Sequence, residues 1–96
     1  MLDRDKIIKL LREQRTELQT RFSVKRIGLF GSFGSGDATE ASDIDLLVDF
    51  TDPTFDNYMD LKSYLEGIFN RPVDLVLSET LKPRLRPIVE QEVSYA

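Results

Sequence analysis

The chain has no cysteine and no histidine. Their absence excludes disulfides, thiol nucleophiles, Ser-His-Asp triads and zinc sites built on thiolate or imidazole. Chemistry is left to carboxylates, hydroxyls, Lys, Arg and backbone amides, and a cysteine-free chain suits a reducing compartment. Long apolar runs are missing as well. The longest, Leu46-Leu47-Val48 and Leu75-Val76-Leu77, are three residues each, against roughly 20 needed to cross a bilayer. The opening Met1-Leu2-Asp3-Arg4-Asp5 has no apolar stretch of the signal-peptide kind. A cytoplasmic protein without a membrane partner is the expectation.

What is present describes one small domain over residues 1–96. A chain of this length has an expected radius of gyration of roughly 12–13 Å. It can bury one modest core, with little left for accessory elements. Hydrophobic residues make up 41% and charged residues 31%, a balance that favours folding over disorder. The net charge of −4 argues against a nucleic-acid partner, since phosphate binders lean basic. The charge is also uneven. Residues 27–61 carry eight acids and no Lys or Arg, whereas eight of the 13 bases lie in residues 4–26. An acidic patch repels itself unless it is solvated, paired or neutralised by a cation.

Periodicity predicts a helix over 3–20, with Ile7, Leu11, Leu18 and Phe22 on one stripe. Val24–Phe30 reads as a strand running into Gly31-Ser32. Residues 31–42, with three of the five glycines, read as a loop or short irregular helix. Asp43–Phe50 is a second strand. A helix follows from Asp52-Pro53-Thr54 to about Asn70, where Pro72 forbids continuation. Val73–Leu77 is a third strand, 83–91 a further helix, and Val93-Ser94-Tyr95 a short edge strand. The order predicts an α+β (α/β) fold, a small mixed β-sheet with helices packed on one side.

Asp43 and Asp45 carry the chemistry. Residues two apart on a strand share a face, with Cα atoms about 6.5–7 Å apart. Asp is a poor strand former, and two neighbouring carboxylates raise each other's pKa or recruit a cation. With no His or Cys, all-oxygen ligation suits Mg²⁺, Mn²⁺ or Ca²⁺. Asp74, inside the third strand, converges with them if that strand lies beside the second, and three such carboxylates can hold two Mg²⁺ for in-line displacement at phosphorus. Gly31-Ser32 at a strand end lets backbone and a hydroxyl approach a phosphate. Taken singly these features are commonplace: Asp-x-Asp, Gly-Ser or an isolated strand Asp is more often solvated surface. The glycine loop is not a Walker A element, since no Lys follows it, and it lacks the third Gly of a dinucleotide fingerprint.

Joined, the pieces are more specific. Leu29-Phe30-Gly31-Ser32-Phe33, then Ser42-Asp43-Ile44-Asp45-Leu46-Leu47-Val48, then Val73-Asp74-Leu75-Val76, resembles the minimal nucleotidyltransferase (MNT) antitoxin family of the polymerase-β-like nucleotidyltransferase superfamily. The likeness covers nearly the whole chain, including the leading helix and Leu81-Lys82-Pro83-Arg84-Leu85. It implies a nucleotidyltransferase fold. Gly31 and Ser32 would bind the nucleotide triphosphate, and Asp43, Asp45 and Asp74 would be both catalytic and ligands of two Mg²⁺, with ATP as substrate. It also implies a partner, because many members are antitoxins encoded beside a HEPN-domain ribonuclease toxin. They transfer AMP to a toxin tyrosine and form a stable hetero-oligomer with it. One departure stands out. The family commonly has a basic residue in the turn after Gly-Ser, where this chain has Ser35. Arg84 and Arg86 are candidate substitutes. Three functions follow from the resemblance: AMP transfer to a protein tyrosine, an antitoxin that only binds, and nucleotidyl transfer to a small molecule or nucleic acid.

Overall fold

The computed structural model describes residues 2–96. Asp3 caps the first helix, α1 (Arg4–Glu13), by accepting from the Lys6 amide at 2.9 Å. The helix does not run on unbroken as its periodicity suggests. At Gln14 it kinks into α2 (Arg15–Phe22). Hydrogen bonding continues through the kink, with the Gln14 amide on the Leu10 carbonyl and the Leu18 amide on the Gln14 carbonyl. At that residue the Tyr64 hydroxyl donates to the Gln14 side chain. Ile7, Leu11, Leu18 and Phe22 all reach the core. Ser23, in the left-handed region at φ 59°, turns the chain into β1 (Val24–Phe30).

The segment after β1 is a short helix, α3 (Gly31–Ser35), ended by Gly36 at φ 86°. A loop leads to β2 (Ile44–Phe50). Thr54 caps α4 (Phe55–Phe69), accepting from the Asn57 amide at 3.1 Å. Asn70, at φ 52°, stops it. Then come β3 (Val73–Leu77), a 3₁₀ turn over Ser78–Thr80, α5 (Arg86–Glu92) and β4 (Ser94–Tyr95). The tail helix begins three residues later than its sequence suggests, with Pro87 in its first turn, where proline costs no hydrogen bond.

The four strands lie in the order β3-β2-β1-β4. β1 is antiparallel to β2 and to β4, and β2 is parallel to β3, joined by the α4 crossover. The sheet is therefore mixed, as expected. Ile27 and Leu29 of β1, Ile44, Leu46 and Val48 of β2, and Val73 and Leu75 of β3 form one core cluster with Ile7, Leu11, Leu18, Leu61, Leu65 and Phe69 of α1, α2 and α4. The radius of gyration is 12.5 Å. On the opposite face Leu47 is also buried, in register with Gly28. A Cβ at Gly28 would meet Val93 Cγ2 at 2.5 Å and Tyr95 Cδ1 at 2.9 Å, so these two side chains occupy the space that Gly28 leaves, beside edge strand β4.

Candidate active site

The strand alternation that buries Ile44, Leu46 and Val48 sends Asp45, Leu47 and Asp49 to the other face. At one end of that face Asp45 is in register with Asp74 on parallel β3 and with Phe30 on β1. Adjacent strands are about 4.8 Å apart, so in-register carboxylates on one face are near neighbours. Burial pushes the Asp45 carboxyl above its ordinary range. The Asp74 charge, a hydrogen bond with the Asp74 side chain and the Asp43 charge push it further the same way. Two carboxylates set side by side in this way disfavour each other's charge, and a hard cation with oxygen ligands relieves that repulsion.

Gly31 completes this corner. Its φ of 70° lies where a side chain is strained. A Cβ there would enter the Asp45 carboxylate. Glycine is needed twice over, for the backbone turn and for the close approach. Ser32 follows it in the first turn of α3, partly exposed, and Phe33 anchors that helix in the core. The structure therefore brings Gly31, Ser32, Asp45 and Asp74 together.

Asp43 is placed differently from its expected position in a strand. β2 begins one residue later, at Ile44, so Asp43 is the exposed last residue of the loop. It is near enough to act on Asp45 through its charge. Among the described residues, no group of three or more acids is gathered as a metal-holding cluster. Two of the three expected ligands are brought together by strand register, and the third depends on the loop that carries it.

The loop is organised by small polar residues. The Thr39 amide donates to Ser42 Oγ at 2.9 Å, and the Ser42 amide to the Thr39 carbonyl at 3.1 Å. The Ser35 hydroxyl is engaged with the Ser32 carbonyl at 3.2 Å and the Asp37 carboxylate at 3.0 Å. Ser35 is the last residue of α3. Of the two candidate substitutes, Arg86 donates to the Ser78 carbonyl at 3.2 Å, and Arg84 is exposed. The residue that sequence reasoning missed is Arg71. Its Nη1 reaches the Glu40 and Ser42 carbonyls of this loop at 2.7 and 3.0 Å. The signal was present, an Arg held between a helix-ending Asn70 and Pro72, but its target is about thirty residues away in sequence.

A cleft of about 240 Å³ lies between the first two helices and β1, lined by Leu11, Arg15, Leu18, Lys25 and Arg26 among others. No acid side chain lines it, so it is not a place for this chemistry.

The family model described as "Nucleotidyltransferase domain" matches residues 11–96. The protein adenylyltransferase MntA of Thermococcus cleftensis is 41% identical over 96 residues, covering 99% of this chain and 97% of that protein. A solved minimal nucleotidyltransferase structure superposes with a TM-score of 0.81 at 37% identity, over 97% of this chain and 95% of the other. A toxin–antitoxin crystal structure with AMP-PNP matches at a TM-score of 0.69 and 29% identity, over 98% of this chain and 72% of that one. A tri-AMPylated Shewanella oneidensis HEPN toxin in complex with MNT antitoxin matches at a TM-score of 0.58 and 27% identity, over 96% and 66%.

Proposed function

The chain belongs to the nucleotidyltransferase domain family, and from that premise we propose that it transfers AMP from ATP to a tyrosine of a HEPN-domain ribonuclease toxin, silencing the toxin as its antitoxin. The observation that carries this reading is the corner where Gly31 is pressed against Asp45, itself paired with Asp74. It puts a side-chain-free turn, suited to a triphosphate, directly beside carboxylates suited to a divalent cation. The likeness to an adenylyltransferase, and to structures holding AMP-PNP or an AMPylated toxin, supports ATP as donor and a HEPN protein as acceptor.

In this reading Gly31 and Ser32 bind the triphosphate, the glycine by letting backbone approach and the serine by its hydroxyl. Asp43, Asp45 and Asp74 would hold magnesium, which when bound offsets the triphosphate charge and lowers the pKa of the attacking hydroxyl. The donors are all oxygen, as a hard cation requires, with Asp45 and Asp74 in register and Asp43 supplied by the loop. Asp74, exposed on the edge strand, would accept the tyrosine proton as the phenolic oxygen bonds to the α-phosphorus. The bond from that phosphorus to the bridging oxygen breaks, and pyrophosphate leaves. No covalent nucleophile is required, so the lack of histidine is no obstacle.

A chain this small has little room for both a base pocket and an acceptor site, which favours a complex in which the toxin supplies part of the surface. Mixing the protein with ATP, Mg²⁺ and the HEPN toxin and weighing the product tests the reading. A toxin mass gain of one or more AMP units, absent with Asp45→Asn, is the expected result. Ser35, tied to Ser32 and Asp37 where a cation is common, favours a second reading, an antitoxin that binds without transfer. Neutralisation with no mass gain would select it. Label on RNA or a small molecule, and none on protein, would overturn both.

A further inference from the structure

We propose that Arg71 is a positioning residue for nucleotidyl transfer, a clamp that fixes the loop delivering Asp43 against the turn that carries Gly31 and Ser32. The role in transfer rests on the function proposed above, but the clamp itself does not. Residues 36–43 contain no large apolar side chain, and the loop's side-chain hydrogen bonds are local ones among Ser35, Asp37, Thr39, Ala41 and Ser42. Such a segment has little burial to hold it. The Arg71 guanidinium supplies what burial does not. Nη1 donates to the Glu40 carbonyl at 2.7 Å and the Ser42 carbonyl at 3.0 Å, with a longer contact of 3.4 Å to the Thr39 carbonyl. Bonds from an ionised donor are roughly twice as strong as neutral ones. The Ser42 carbonyl belongs to the peptide that leads directly into Asp43.

The same guanidinium has its central carbon 5.2 Å from the centroid of the Phe33 ring, within the range of cation–π attraction. Phe33 is buried and immediately follows Ser32. One side chain therefore touches both halves of the site. Its own base is rigid. Asn70 sits in the left-handed region, Pro72 restricts the Arg71 backbone, the Glu66 carboxylate accepts from the Val73 amide at 3.0 Å, and the Ile44 amide donates to the Pro72 carbonyl at 3.0 Å. Lysine keeps the charge but not the planar guanidinium, whose Nη1 donates to both carbonyls while its central carbon lies over the Phe33 ring.

The test uses Arg71→Lys and Arg71→Met in the full chain, with Leu65→Ala as a core variant for comparison. Amide exchange of the protein alone, without nucleotide, is followed alongside kcat and KM for AMP transfer. In both Arg71 variants, exchange at residues 39–43 should rise at least tenfold while the amides of β1, β2 and β3 keep their protection. The kcat should fall tenfold or more with KM for the toxin unchanged, and methylguanidinium should partly restore the kcat of a third variant, Arg71→Ala, made for that rescue. The Leu65→Ala variant should loosen the core without this split. Unchanged loop exchange in Arg71→Met overturns the clamp, as does full activity in Arg71→Lys. If Arg71→Met does not fold, Arg71→Lys decides by the same readouts. Should the wild type transfer no AMP to any toxin, the functional reading fails, yet loop exchange still decides the clamp.

Discussion

Asp45 is the residue where folding and the proposed function pull against each other. Its carboxyl is raised above the unfolded value by burial, by Asp74 and by Asp43. A raised acid is stabilising in its protonated form, so that contribution is complete below the unfolded value near 3.9 and is lost as pH rises through the folded value. At neutral pH without a cation the ionised group therefore works against the fold. Asp45→Asn should raise the melting temperature of the metal-free protein at pH 7 by roughly 2–4 °C, about 0.5 kcal/mol once solvent screening is discounted. Thermal melts across pH check the sign: the gain should shrink toward zero near pH 3.5, and a gain that grew on acidification would contradict it. Gly31→Ala should do the opposite at any pH. Left-handed backbone and a Cβ driven into Asp45 together cost on the order of 1–3 kcal/mol, measurable by denaturant titration, with loss of ATP binding.

At the scale of elements, β4 is the piece whose attachment is least expected from its length. Two residues pair with β1, and a strand that short has little stability alone. Around it the Ala96 amide donates to the Ile27 carbonyl at 2.9 Å, Arg4 donates to Ser94 Oγ at 2.8 Å, and the Arg26 guanidinium lies 4.2 Å from the Tyr95 ring centroid while pairing with Asp49 at 2.9 Å. The absence of a side chain at Gly28 makes room for Val93 and Tyr95. Gly28→Val should overpack this contact by about 1–3 kcal/mol. Hydrogen exchange should show the Ala96 amide losing protection while α4 keeps its own. Equal loss in both would mean that the tail is not a separable element.

Taken whole, the molecule is electrically two-sided. Residues 3–26 carry eight bases against four acids, and the remainder five bases against 13 acids. The helices α1 and α2 with β1 bear the positive charge, and β2, β3 and the loops around them the negative. A divalent cation is attracted to the second half whatever the nucleotide. Mg²⁺ with ATP at a hundredfold excess over Kd should add about 2.7 kcal/mol of stability by mass action. The rise in melting temperature should be clear in the wild type and largely absent in Asp45→Asn. An equal rise in both would place the nucleotide elsewhere.

Much of this was decided locally and could be read from the chain. Alternation placed Ile44, Leu46 and Val48 inward and Asp45 outward, capping and proline bounded α4, and Gly31-Ser32 with Asp43-Ile44-Asp45 marked the candidate site. These features depend on neighbours within a few residues, where covalent geometry dictates which face a side chain takes. Tertiary structure alone decided the rest. The parallel register that sets Asp74 beside Asp45, the contact of Tyr64 with Gln14 and the reach of Arg71 to the Glu40 and Ser42 carbonyls each join segments about thirty residues apart or more. Such contacts are chosen by the packing of all the elements together, and no short stretch of sequence contains them.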